Sequence, residues 1–144
     1  LAGGGLPTAQ TLSVDYQHRP ADMPDTGTGT HSWRIRRLRF LDSVPAVLED
    51  IWLDAARASN LDVSMLPESL YHFYQSQLGF WISRTEDSVG VGVVPDWAPA
   101  RFGLEPASPC GVVDRIAWAQ DATPVEYSQS WFNPTIARYV ARLI

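Results

Sequence analysis

The chain's 144 residues, 45% hydrophobic and 19% charged, suit one domain with its own core and exclude a disordered tail. A formal net charge of -5 and a pI near 5.0 exclude a groove that tracks nucleic-acid phosphates with the domain as a whole. One cysteine, Cys110, rules out an internal disulfide, and no apolar run approaches the ~18 residues of a membrane span, so a reducing, cytoplasmic setting without a membrane partner is expected.

The opening LAGGGLPT lacks the charged and apolar regions of a signal peptide and does not begin with Met, so the chain is expected to be a fragment or a processed product. TLSVDYQHR (11–19) reads as a strand. PADMPDTGTGTHS (20–32), rich in Pro, Gly, Thr and Asp, predicts a loop. WRIRRLRFL (33–41) alternates and predicts a strand. DSVP (42–45) predicts a turn, because Asp and Ser bond locally to backbone and Pro cannot sit in a central ladder. AVLEDIWL (46–53) then completes a β-hairpin.

LPESLYHFYQSQL (66–78) predicts a helix with Pro67 in its first turn and Leu70, Phe73, Tyr74 and Leu78 on one face, a core-packing stripe. FWISRTEDSVGVGVV (80–94) predicts a long strand, bent or bulged around Gly90 and Gly92. PDWAPARFGL (95–104) predicts a short helix ended by Gly103. CGVVDRIAWA (110–119), QDATP (120–124) and VEYSQSWF (125–132) form a second hairpin, and RYVARLI (138–144) reads as a last strand.

Shifting the first hairpin by 79 residues pairs Arg36 with Arg115, Asp42 with Asp121, Pro45 with Pro124 and Trp52 with Trp131. Two similar β-rich halves around a central helix are therefore expected, joined as one antiparallel sheet with helices on one side.

RIRRLR (34–39) concentrates four of the 11 positive charges. Strand geometry splits them: Arg34 and Arg36 share a face with Leu38 and Phe40, while Arg37 and Arg39 share the other with Trp33, Ile35 and Leu41. That argues against DNA binding. Two guanidinium groups on a mostly apolar face call for an anion. A three-residue hairpin loop, 43 to 45, sets Glu49 directly opposite Arg39, the register expected because it pairs the charges; a two-residue loop, which the sequence does not exclude, sets it opposite Leu38 on the other face. The plainer reading is a solvated face with weak cross-strand ion pairs. Glu126, Ser128, Ser130 and Phe132 share one face of the second hairpin. If that face meets the first hairpin's, the result is a pocket suited to a small hydroxylated anion. Ser69, at the helix start, adds backbone N–H groups.

The ordered set WRIRRLRFLDSVPAVLEDIWL, ESLYHFY and DATPVEYSQSWF resembles the effector-binding (UTRA) domain of GntR-type transcriptional regulators of the HutC subfamily, from about residue 11 to the end. The resemblance implies an α+β, chorismate lyase-like fold, an antiparallel β-sheet with flanking helices, over 11–144, with 1–10 the remnant of an interdomain linker. It implies a homodimer that binds a small anionic metabolite effector, best matched by a sugar phosphate or amino-sugar phosphate. Operator DNA would be bound only through an N-terminal winged helix-turn-helix domain absent from this chain. The ligand-binding set it implies is Arg37 and Arg39, Glu49 ten residues on, Ser69 and Tyr71 of the SLY motif, and Glu126 of VEYS. The Tyr usual six residues after that Glu is Phe132 here, which keeps the ring and loses the hydroxyl. Residues 20–32 replace a helix usual in the family, and some members hold phosphate with backbone upstream of residue 1. Relatives of the domain sense amino acid-derived acids, phosphonates and fatty acids.

An enzyme is not expected, and neither is a cofactor. His18, His31 and His72 share no metal-ligand spacing, Cys110 has no nearby His, and no nucleophile elbow or phosphate-loop fingerprint is present. Two other readings stay open. A chorismate lyase-like enzyme would release pyruvate from chorismate. A purely structural dimerisation module would pair Arg37, Arg39 and Glu49 internally and leave no cavity between them.

Overall fold

Alternating side chains make the strands, and turn residues place the reversals. In the computed structural model, which describes residues 7–142, the strands are β1 (Pro7–His18), β2 (His31–Leu41), β3 (Val44–Asp54), β4 (Ile82–Val93), β5 (Pro109–Ala119) and β6 (Pro124–Phe132). They form one antiparallel sheet in the order β1-β2-β3-β6-β5-β4. The two expected halves are thus β1–β2–β3 and β4–β5–β6, joined where β3 pairs with β6. In that ladder Asp50 lies opposite Gln129, its own counterpart at the 79-residue shift. A pseudo-two-fold axis therefore passes through this pair.

The protein is mostly β, not the α+β sheet with flanking helices that the sequence led us to expect. Its one α-helix among the described residues, α1 (Leu70–Phe73), runs straight into a wider π turn, Tyr74–Leu78, ended by Gly79 at φ 78°. The helix starts later than residue 66 because Pro67 holds Leu66 extended and Ser69 caps the first turn, accepting from the His72 backbone N–H. The short segments do not keep to one side of the sheet. A 3-10 turn at Ala100–Phe102, ended by Gly103, packs with Trp97 against Leu38, Leu48 and Trp131 on the face opposite α1.

The first hairpin corrects the expected register. Its loop is two residues, Asp42 and Ser43, both left-handed at φ 48° and 66°, the twist a tight hairpin prefers. Ala46 is then bulged out, so Glu49 faces Arg37, and Arg39 faces Val47. The bulge keeps Glu49 on the Arg37 and Arg39 face, as a slip of one residue would not. The strand expected at 138–144 is only an isolated bridge at Arg138, with 143–144 outside the described residues. At the other end β1 starts at Pro7, inside the linker expected over 1–10; residues 1–6 lie outside the described residues.

Two separate clusters cover the α1 face. Ile35, Ile51 and Leu53 pack under Leu70, Phe73, Tyr74 and Phe80. Ala46, Val47, Val113 and Phe132 pack under Ile136, Ala137 and Tyr139. Between them the sheet carries polar side chains, which is where the site lies.

A Cβ on Gly111 would sit 2.1 Å from Cζ of the buried Phe132 ring, whereas one on Gly90 meets nothing within 4 Å. Gly111→Ala is expected to cost about 1–3 kcal/mol in denaturant unfolding, and Gly90→Ala within about 0.5 kcal/mol of zero. Equal effects would show that the Phe132 ring is free to move.

Candidate functional site

Two adjacent rows of the sheet build the site. One runs Thr11, Arg37, Glu49, Ser130, Val113 across five strands; the next runs Val14, Ile35, Ile51, Ser128, Arg115, Asp87 across all six. Their side chains project from one face because they are two residues apart on β2, β3, β5 and β6, while on β1 the irregularity between Thr11 and Ser13 brings Val14 into step three residues after Thr11. A cavity of about 380 Å³ opens over them, roofed by Ser69, Leu70 and Tyr71 at one side and Tyr139 at the other.

Of the expected site residues, Arg37, Arg39, Glu49, Ser69, Tyr71 and Glu126 all line this cavity. Phe132 does not. Its ring turns over Gly111 into the cluster with Val47 and Val113, because glycine leaves that space and the apolar neighbours fill the rest. Ser69 spends its hydroxyl on capping α1, at 3.3 Å from the His72 nitrogen.

Arg37 is the unusual group. It is 1% exposed, and no carboxylate is bonded to it. Its Nη2 donates to the carbonyls of Pro67 (2.8 Å) and Glu68 (3.0 Å), while Nε and Nη1 are buried donors with no partner in the protein. Burial pushes its pKa down, Glu49 pushes it up and Arg39 down again. Arg39 approaches Glu49 at 3.7 Å, and Oε1 of Glu49 accepts no hydrogen bond. Buried donors and an acceptor left open beside each other are costly, on the order of 1–3 kcal/mol each. The structural module reading, which needs these three groups paired internally with no cavity, does not fit.

Glu126 anchors the opposite wall. It is buried and accepts a short hydrogen bond from the Tyr74 hydroxyl. Burial raises its pKa to about 7, against the lowering effect of the Tyr74 bond, with Glu49 adding to the rise and Arg115 opposing it. Burial also raises the Tyr71 hydroxyl, helped by Glu126.

Arg34 and Arg36 lie on the other face, as alternation requires. Arg34 grips Asp50 with Nε (3.0 Å) and Nη2 (2.7 Å) and covers Trp52, and Arg36 covers Trp97. Sequence reasoning missed Arg115 and Tyr139. The signal for Arg115 was present, but the 79-residue shift equated it with Arg36. The second hairpin's register differs by one from the first, so Arg115 takes the place of Arg37 instead. Among the described residues no cluster of three or more His, Cys, Asp or Glu is placed to hold a metal ion.

Residues 4–138 match the UTRA domain model. The HTH-type transcriptional regulator SmoD of Agrobacterium fabrum is 45% identical over 143 residues, 99% of this chain and 61% of that protein. The mannosyl-D-glycerate transport/metabolism system repressor MngR of Escherichia coli is 24% identical over 130 residues, 89% of this chain and 50% of that protein. The chain thus spans about half to three-fifths of these relatives' length. Among solved structures, the ligand-binding domain of a GntR-family regulator from Bordetella bronchiseptica superposes with a TM-score of 0.87 at 21% identity, covering 100% of this chain and 93% of that one. The effector domain of PhnF from Mycobacterium smegmatis gives 0.80 at 19%, covering 98% and 89%. At such identities the structures speak for the fold alone.

Because burial raises Glu126, the folded chain binds its proton more tightly than the unfolded chain does. The stability this contributes is full below the usual glutamate range and is lost as pH rises through about 7. The loss is on the order of 3 kcal/mol. Glu126→Gln should remove that decline from urea midpoints measured between pH 5 and 8; a variant that still shows it would place the titration elsewhere.

Proposed function

The chain belongs to the UTRA family, the effector-binding domain of GntR-family transcriptional regulators, and from that premise we propose that its cavity binds a small hydroxylated anion, a sugar phosphate or amino-sugar phosphate fitting best. As a regulator's ligand-binding domain it is not an enzyme, so chorismate lyase-like activity falls away. The observation that carries the ligand reading is Arg37: a buried guanidinium with two unpartnered donors, aimed with Arg39 into a cavity. An anion there would take the open N–H groups and balance a charge that the fold leaves uncompensated. Glu49 and Glu126 would accept from hydroxyl or ammonium groups, and Ser128 and Ser130 would donate to ligand hydroxyls or accept from either group. The name of MngR ties that repressor to mannosyl-D-glycerate, which likewise combines hydroxyls with a carboxylate.

The larger mechanism follows from family membership and is equally a proposal. The domain pairs with a second copy in the cytoplasm, effector binding biases the dimer between two arrangements, and the spacing of winged-helix domains outside this chain changes on operator DNA. Among the described residues no helix is long and apolar enough to cross a membrane.

Thermal unfolding of the chain should be measured with hexose and hexosamine 6-phosphates, hexuronates, small carboxylates and phosphonates. A ligand at 100 times its Kd should add about 2.7 kcal/mol, and Arg37→Gln should abolish the gain. No stabilisation by any of these anions, or a gain that survives Arg37→Gln, would sink the reading. If full-length protein bound operator DNA equally with and without a saturating hit, the switching mechanism would fail while the ligand site stood.

A further inference from the structure

The cavity holds a third guanidinium beside those of Arg37 and Arg39. Arg115 lies on β5, opposite Ser128 of β6 and Asp87 of β4. About the axis through Asp50 and Gln129 it is the counterpart of Arg37, as Ser128 is of Glu49 and Asp87 is of Thr11. Symmetric in place, the two arginines differ in electrical state. Arg37 keeps an unbalanced charge. Arg115 is neutralised: its Nε and Nη2 grip both oxygens of Asp87 at 2.7 and 2.9 Å, and the Tyr139 hydroxyl donates to the same carboxylate at 2.7 Å. The fork fixes the guanidinium plane and sets Arg115 within hydrogen-bonding reach of the Tyr71 hydroxyl, which lines the same cavity.

A second anion entering at this end would meet one paired arginine together with Asp87 and Glu126. A neutral hydroxyl would be welcome, accepting from Arg115 and donating to Glu126. We propose that Arg115, clamped by Asp87, sets the cavity's specificity by taking the uncharged, hydroxyl-bearing end of the effector while Arg37 and Arg39 take its anion. This rests on the reading that the cavity binds an anionic metabolite. The site is then polarised along one direction and discriminates against ligands with an anion at both ends.

The test uses calorimetric titration with inorganic phosphate, the 6-phosphates of glucose, mannose, galactose and glucosamine, and glucose 1,6-bisphosphate. Wild type should prefer at least one hexose phosphate to phosphate by about tenfold or more, and should bind the bisphosphate no better than the monophosphate. Arg115→Gln should erase the preference while leaving phosphate affinity within about twofold. Asp87→Asn, which frees the Arg115 charge but keeps an acceptor, should tighten the bisphosphate about tenfold relative to wild type. Arg37→Gln should lose phosphate and sugar phosphate together. If Arg115→Gln weakened both ligands equally or changed neither, if Asp87→Asn gained nothing for the bisphosphate, or if wild type bound phosphate without preferring any hexose phosphate, the proposal would be wrong and the anion site would stand. No binding of any of these probes by wild type would overturn the anion-site reading, and the proposal with it.

Discussion

The ladder between β3 and β6, from Val47 opposite Phe132 to Leu53 opposite Glu126, is where two three-stranded meanders become one sheet. Each meander alone has a bare inner edge with unpaired backbone groups, which the ladder satisfies for both. It also brings Glu49 and Ile51 from one half beside Ser128 and Ser130 from the other, so the cavity floor exists only once the halves are joined. The strands just outside the ladder, β2 and β5, then supply Arg37 and Arg115 at matching positions.

Electrostatics divides what topology makes symmetric. Asp87 on the edge strand β4 neutralises Arg115, while the equivalent place on β1 holds Thr11, which has no charge to give. Arg37 instead leans on the backbone carbonyls of Pro67 and Glu68, ahead of α1. Carbonyl dipoles orient a guanidinium without cancelling its charge. A hydrophobic side chain of similar volume commonly stabilises such a buried site better than an ion does. The cavity is therefore a place where the fold gives up stability and keeps chemistry.

Much of this was legible before any coordinates. Alternation separated Arg37 and Arg39 from Arg34 and Arg36 onto the correct faces, and the residues grouped as a pocket from 37, 39, 49, 69, 71 and 126 do surround one cavity. The two halves followed from Pro45, Pro124 and the residues in step with them. What failed was register. The bulge at Ala46 is invisible in sequence, because nothing in VPAVL marks which residue leaves the ladder. The same difficulty hid Arg115, since a fixed shift along the chain cannot carry a one-residue change in pairing. Phe132 was misplaced for a different reason: its direction depends on the empty space over Gly111, a neighbour on another strand. The helix was overextended because its apolar stripe continues through the π turn, whose residues still bury Tyr74.

The joined halves also bear on how the chain reaches its native state. Within each half, strands that follow one another in sequence pair directly, at β1–β2, β2–β3, β4–β5 and β5–β6. The β3–β6 ladder instead closes a loop of some 79 residues between Asp50 and Gln129, the kind of long-range contact that slows folding. Since the cavity floor straddles that ladder, a chain with only its local hairpins formed has no site. On the proposed site, effector engages only molecules whose β3–β6 ladder has closed, so a newly made chain is blind to its signal until that long loop is formed.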